Sequence, residues 1–389
     1  MDSKTQDNLF GDLFNVDNWE DEYVGMPEYN NIDQEDPLIT AKFKFRSKDD
    51  FLKFKELVQK HIFNGEKVFD GEQTENKKQS WFPHLEKPSK YVYVSKKKEY
   101  YPRFPVYIIS KGRWEKGKRL TSNYFESVAI DYKIVVEEQE YDNYASVIDE
   151  DKILILPKKY QKEYDTFWDR KRVKNKTGSG AARNYCWEHS IENGYDYHWV
   201  FDDNISGIER FNKNMQVKCK TATPMYIMED FVLRYTNIVQ AGMGYTMFFP
   251  RNRFRPPLTL NTRIYSNHLI KNDIPFRWRG TYNEDTDLSL RILKSGLCTM
   301  QFNMFLIDKM ATQRIQGGYT EEFYAKEGTL DKSQMLVDMH PDVTKLSTRW
   351  NRDHHYVNYN KFKANKLIKT KKHKAKNINE YDLYLKKIK

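Results

Sequence analysis

Apolar and polar positions change rhythm along the chain near Pro105. Before it, residues 39–45 alternate apolar and polar, the pattern of a half-buried strand. Phe51, Leu52, Phe54, Leu57 and Val58 then recur at helical spacing behind a cap-like Ser47-Lys48-Asp49-Asp50. Together they predict a small N-terminal α/β module over residues 36–85, closing near Trp81 to His84. Beyond Pro105, continuously apolar runs at 106–109, 132–136, 153–156 and 197–201 each stop at polar residues. Helical patterns at 119–125 and 181–193 fall between them. Strands apolar on both faces and alternating with helices predict a Rossmann-like α/β fold over residues 104–360, a mostly parallel sheet covered on both sides. Ligands bind such sheets at the carboxyl ends of the strands, so the polar residues there are the ones to read for chemistry.

Composition sharpens the outline. With 39% apolar and 15% aromatic residues among 389, the chain can fill a core despite a mean hydropathy of −0.86. No apolar run approaches the roughly 20 residues that cross a bilayer, and the first residues lack the basic and apolar regions of a signal peptide. The expectation is a protein of the cytoplasm with no membrane partner. Cys186, Cys219 and Cys298 are scattered and odd in number, which excludes a disulfide framework and a cysteine-rich zinc cluster. The net charge is +10, yet residues 361–389 hold eleven Lys against Glu380 and Asp382, a surplus of 11 − 2 = +9. Basicity therefore concentrates in what reads as a C-terminal tail, either a solvated end or a tether for a polyanion. Residues 1–35 read as an acidic segment anchored at Trp19 and Gly25-Met26-Pro27, and residues 86–103 as a basic linker.

The chemistry-bearing signals sit at strand and helix ends. Asp202-Asp203-Asn204 follows the fourth apolar run, and adjacent carboxylates repel unless something positive joins them. Mg²⁺ or Mn²⁺, shared with a diphosphate, meets that need, while a helix-capping turn is the plain structural reading. Gly178-Ser179-Gly180-Ala181-Ala182-Arg183-Asn184 opens a helix and offers backbone N–H groups and Arg183 to a phosphate, or else is a hinge. Lys111 and Arg113 supply cations after the first run. Asn283-Glu284-Asp285-Thr286-Asp287 starts another helix, where acids suit the dipole or, functionally, supply a general base.

These motifs in this order resemble a GT-A glycosyltransferase. More narrowly, residues 105–113, 182–184, 200–208 and 282–296 resemble the TET-associated glycosyltransferases of tailed bacteriophages, over roughly residues 103–360. The resemblance implies transfer of a sugar from a nucleotide-diphosphate sugar, a UDP-sugar, to 5-hydroxymethylcytosine in DNA. It implies Asp285, with Glu284 beside it, as the catalytic base, and Ser110, Lys111, Arg113, Glu137, Arg183 and Asp202 around the donor. Mn²⁺ or Mg²⁺ would lie on Asp203 and Asn204 with a late histidine, for which His340, His354 and His355 compete and His340 is chosen. DNA phosphates are expected at Arg251, Arg253, Arg255, Lys371 and Lys372. The alternatives are the same chemistry on a glycan, lipid or protein, and a non-catalytic DNA-binding module.

Overall fold

The computed structural model describes residues 19–30, 43–61, 88–115, 117–250, 255–309, 330–349, 352–371 and 379–388. The N-terminal anchors behave as their side chains dictate. Helix α1 (Trp19–Glu22) ends at a turn with Gly25 at φ 72°, which only glycine adopts freely. Tyr23 and Met26 beside it are buried in the main core. Helix α2 (Lys48–His61) starts where Ser47 accepts a bond from the Asp50 N–H at 3.1 Å. Residues 43–45 are irregular, and not the strand their alternation suggested. Phe43 and Phe45 instead lie on Phe54 of α2, with ring centroids 4.7 and 5.1 Å away. The alternation reflects ring packing on a helix, while residues 39–42 and 62–87 of that expected module lie outside the described residues.

Strand β1 (Tyr91–Ser95) belongs to a separate ribbon, and the main sheet begins with β2 (Val106–Ile109). β3 (Lys133–Val136), β4 (Ile153–Ile155) and β5 (Tyr197–Asp202) join it in the order β4-β3-β2-β5, all parallel. Their side chains explain the continuous apolar runs. Val106 and Ile108 face a core containing Phe125 of α3 (Leu120–Ser127) and Tyr144 of α4 (Tyr141–Ala145). Tyr107 and Ile109 face the opposite core, among Cys186 and Trp187 of α6 (Gly180–Glu192), which follows α5 (Lys158–Glu163). A strand covered on both sides has no polar face to alternate.

The other half of the sheet is mixed. β6 (Ile205–Asn212), β7 (Met215–Lys218), β8 (Ile238–Tyr245), β9 (Leu258–Leu260), β10 (Asn267–Lys271) and β11 (Cys298–Lys309) extend the order through β5-β10-β8-β11-β6-β7, with β9 on β11. β8 and β11 are parallel and the remaining pairs antiparallel. Helices α7 (Thr223–Val232) and α8 (Glu284–Lys294) pack on opposite faces of the sheet, completing a mixed α/β, Rossmann-like fold. The chain runs β2 to β3 on one side of β2 and returns with β5 on the other. That reversal opens a crevice at the carboxyl ends of β2 and β5.

The Lys-rich end is built into this body. Helix α9 (Leu330–Met339) and the hairpin β12 (Thr344–Arg349)–β13 (Arg352–Val357) cover α8, with Leu336 and Val357 against Leu290 and Leu293. β14 (Leu383–Lys387) then pairs antiparallel with β1, from Tyr91 opposite Lys387 to Ser95 opposite Leu383. Tyr381 and Leu383 are buried in the main core. The segments expected as a linker and a tail thus clasp each other. Apolar residues spaced among the lysines make this possible, since a long side chain can keep its ammonium in water while its neighbours bury. Among the described residues, no helix is long and apolar enough to cross a membrane.

Candidate active site

The crevice at the β2/β5 switch is a cleft of about 400 Å³. Asp202-Asp203-Asn204 closes β5 and leads directly into β6, so the helix-capping alternative is not what the chain adopts. All three residues line the cleft, together with Ser110, Lys111 and Arg113 after β2 and Glu137 after β3. Asp203 is buried between Arg113, which ion-pairs with Oδ1, and Ser110, whose hydroxyl donates to Oδ2 at 2.7 Å. Burial raises its pKa, against the pull of Arg113. Tyr144 meets Ser110 at 2.6 Å and accepts the Arg113 N–H at 3.1 Å, which fixes this corner from below. Lys111 and Glu137 pair at 3.2 Å on the cleft's outer wall.

Asp202 is treated oppositely. Its Oδ1 meets Arg183 at 2.7 Å and its Oδ2 meets Lys309, at the end of β11, at 2.8 Å. Burial opposes ionisation, but the two cations outweigh it and hold the carboxyl far below the usual range. Burial lowers Arg183 and Lys309, but Asp202, with Glu284 and Asp285 around Arg183 and with Tyr245 beside Lys309, raises both on balance.

The glycines before Arg183 have a packing explanation. Gly178 has φ +66°, and a Cβ there would lie 2.8 Å from the Thr281 carbonyl; at Gly180 it would run into Tyr164. This close approach sets Ser179 and Arg183 against the start of α8. Ser179 hydrogen-bonds Glu284, and Arg183 reaches the same oxygen at 3.0 Å. One guanidinium therefore bridges the two acidic motifs.

At that start Asn283 takes a left-handed conformation, φ 55°, which asparagine tolerates, and turns Glu284 and Asp285 into the cleft. Asp285 accepts the Thr286 N–H at 2.7 Å. Burial first, then the Glu284 charge, raise the Asp285 pKa to about 6, opposed by Arg183 and Lys332. Asp287 faces the interior, fully buried against Arg279 at 3.1 Å and Arg291 at 2.7 Å.

The histidine expected to bind metal belongs to that interior cluster. The Lys294 ammonium sits 3.0 Å from His340 Nδ1 and can only donate, so Nδ1 accepts. Nε2–H then donates to Asp287 at 2.9 Å, leaving neither ring nitrogen for an ion, and His340 is not among the cleft residues. The histidine that lines the cleft is His355, whose pKa burial lowers to about 3. His354 precedes it on β13 and is not among the lining residues. Of the expected DNA contacts, Arg255 borders a smaller adjoining hollow of about 40 Å³, and Lys371 is exposed. Arg251, Arg253 and Lys372 lie outside the described residues. Sequence reading missed Lys309, Arg263, Lys332, Tyr245 and Tyr265, all lining the cleft. Lys309 carried the same signal as Asp202, a polar residue closing a long apolar strand.

The repulsion that pointed to a metal is already offset by Arg113, Arg183 and Lys309. Among the described residues no three His, Cys, Asp or Glu converge to hold an ion. The donor chemistry still fits Mg²⁺ or Mn²⁺, since such ions are commonly held by one or two carboxylates and completed by substrate phosphates. Asp202, Asp203 and Asn204 offer oxygen ligands alone, on one turn at the cleft wall.

Residues 104–318 match the sequence model of a family described as TET-Associated Glycosyltransferase. No curated protein matches the chain.

Proposed function

Because the chain belongs to the TET-associated glycosyltransferases, we propose that it moves a sugar from a UDP-sugar to the hydroxymethyl group of 5-hydroxymethylcytosine in DNA. One observation carries the reading. Two acidic motifs face a single cleft, with Asp202 in one held ionised by fixed cations and Asp285 in the other pushed toward neutrality, and Arg183 joins them.

Ser110, Lys111 and Glu137 border the end of the cleft nearest β2 and β3, where the nucleoside would lie. Arg183, Arg113 and Lys309 surround the position suited to the diphosphate and offer donors to its oxygens. A divalent ion on Asp202, Asp203 and Asn204 would supply further neutralisation of charge on the leaving diphosphate. Asp285 takes the acceptor's hydroxyl proton as the oxygen attacks the anomeric carbon. A carboxylate with a pKa of about 6 is ionised at neutral pH yet basic enough to accept a proton. Direct attack of this kind inverts the anomeric centre. Arg255, Lys371, Arg251, Arg253 and Lys372 would grip phosphates, and the target base would leave the stack to reach the cleft.

The test incubates the protein with hydroxymethylated DNA and a panel of nucleotide sugars, then weighs the digested nucleosides by mass spectrometry. One sugar added to 5-hydroxymethyl-2′-deoxycytidine is the expected result. Unmodified DNA with transfer to a glycan, lipid or protein acceptor would overturn the DNA reading.

A further inference from the structure

On the cleft wall away from Lys111 and Glu137 stands a set of aromatic side chains. Tyr265 adjoins the base, since the Thr286 hydroxyl donates to Tyr265 OH at 3.4 Å while Thr286 N–H holds Asp285. Tyr245 follows at 6.2 Å between ring centroids, then Phe248 at 5.6 Å with only 15° between the ring planes. At that separation the last two rings are slipped sideways, and they form a stepped shelf rather than a closed sandwich. Ser266 fixes Tyr245 through its hydroxyl at 2.6 Å, and Lys309 lies 5.5 Å from the Tyr245 ring centroid. The shelf ends on the short 3₁₀ turn Thr246–Phe248, where Met247 is 70% exposed beside it.

We infer that the ladder Tyr265–Tyr245–Phe248 is the acceptor subsite and takes one pyrimidine ring, swung out of a nucleic acid strand, by stacking. The inference rests on the glycosyl-transfer reading and specifies which part of the cleft reads the acceptor. Arg113 and Arg183 beside the acidic motifs suit a nucleotide diphosphate, whereas the aromatic surfaces leading to Asp285, edged by Lys309 and by Arg263 at 4.8 Å from the Tyr265 centroid, suit a heterocycle whose exocyclic hydroxyl must arrive at that carboxylate. Stacking is tolerant of base identity, so the shelf would accept hydroxymethylated cytosine and uracil alike. Discrimination by hydrogen bonding then falls to other groups.

The experiment measures binding of a fluorescein-labelled single-stranded oligonucleotide containing one 5-hydroxymethylcytosine, against the same strand with an abasic site there, in the presence of UDP. Wild-type protein is expected to prefer the base-bearing strand by roughly tenfold or more, the scale of one base–aromatic stack. Phe248→Leu should erase most of that preference and keep its affinity for UDP, which also reports an intact cleft. Equal affinity of wild-type protein for the two strands would overturn the subsite. So would a Phe248→Leu protein that keeps the preference but loses affinity for the UDP-sugar, which would mean that the shelf holds the sugar. Sugar transfer is scored separately on the same strands: a base preference without transfer refutes the glycosylation reading and leaves the shelf standing.

Discussion

Replacing Asp285 with asparagine tests the central electrostatic claim, because it should stabilise the protein while disabling it. The side chain keeps its shape and can still accept the Thr286 N–H, which in the native protein is 2.7 Å from Oδ1. What disappears is a charge the fold disfavours. Asp285 is raised from 3.8 to about 6 by burial and by Glu284, against Arg183, Lys332 and the Thr286 N–H, with Arg263 and Tyr265 facing the same carboxylate. Two units at 1.36 kcal/mol each come to about 3 kcal/mol for the ionised form. The side chain is only half-buried, opening on the cleft, so solvent screening reduces this to about 1–2 kcal/mol.

The sign follows from linkage. A carboxyl whose folded pKa is raised contributes its stability fully below the unfolded value, near 3.8, and loses it as pH climbs through about 6. Wild type and Asp285→Asn should therefore melt together near pH 4. At pH 8 the variant should melt roughly 1–2.5 °C higher. Transfer should fall by about 10²–10⁴-fold, the usual contribution of a general base. Wild-type kcat/KM should lose activity as pH drops below about 6. Thermal melts at the two pH values and initial rates measured from pH 5 to 8 check these outcomes. A variant no more stable than wild type at pH 8, or one within tenfold of wild-type activity, would refute the reasoning.

Chelation with EDTA should abolish sugar transfer, and Mn²⁺ or Mg²⁺ should restore it; undiminished turnover would leave Arg113, Arg183 and Lys309 as the sole neutralising charges. His340→Asn should lower stability by about 1–3 kcal/mol, from the broken bonds to Asp287 and Lys294, and leave the metal concentration for half-maximal activity unchanged; a raised requirement would return His340 to the metal. Deleting residues 379–389 removes the buried Tyr381 and Leu383 and should cost several kcal/mol by thermal melting, at roughly 1.5–3 kcal/mol per buried side chain. A truncated chain as stable as the whole would show the clasp to be ornamental. Lys371→Glu with Lys372→Glu should instead weaken DNA binding at an unchanged Tm and reduce its salt slope by about 1–2, and a slope unaltered by the pair would place the DNA elsewhere.

The parallel half of the sheet was legible because its strands are buried on both faces, and residues 106–109 and 197–201 announce that by composition alone. The mixed half hid itself. β8 carries Gln240, Gly242 and Gly244, and β10 carries Asn267 and His268, residues that read as loop. In the fold Gln240 and Asn267 find partners on other segments. Gln240 accepts the Ser289 hydroxyl at 2.8 Å, and Asn267 accepts the Met243 N–H at 2.6 Å. A side chain at Gly242 would run into Asn267. Polar groups buried with partners far along the chain leave no periodic signal. The same limit applied to the site. Both acidic motifs were visible as local strings, whereas Lys309 and Tyr265 enter the cleft only through pairings made over long separations.

What distinguishes the two acidic motifs is the company each keeps. Asp202 and Asp285 are both carboxylates on one cleft and share Arg183 as a neighbour, so the sequence alone gives them equal claim to either role. Asp202 meets two cations within 2.8 Å and cannot hold a proton at any physiological pH. It is useless as a base and well suited to anchor positive charge where the proposed reaction would release a diphosphate. Asp285 is buried and faces Glu284, which outweigh Arg183, Lys332 and the Thr286 N–H, so its proton affinity climbs to the range where exchange with a hydroxyl would be productive. Environments that push like groups apart in pKa mark a division of labour, as they do at other acid–base sites. Removing one cation is not enough to exchange the roles, because Arg183 stays on Asp202. Lys309→Met would raise Asp202 and weaken donor binding without restoring a base, and an Asp285→Asn chain carrying it should remain inactive at every pH.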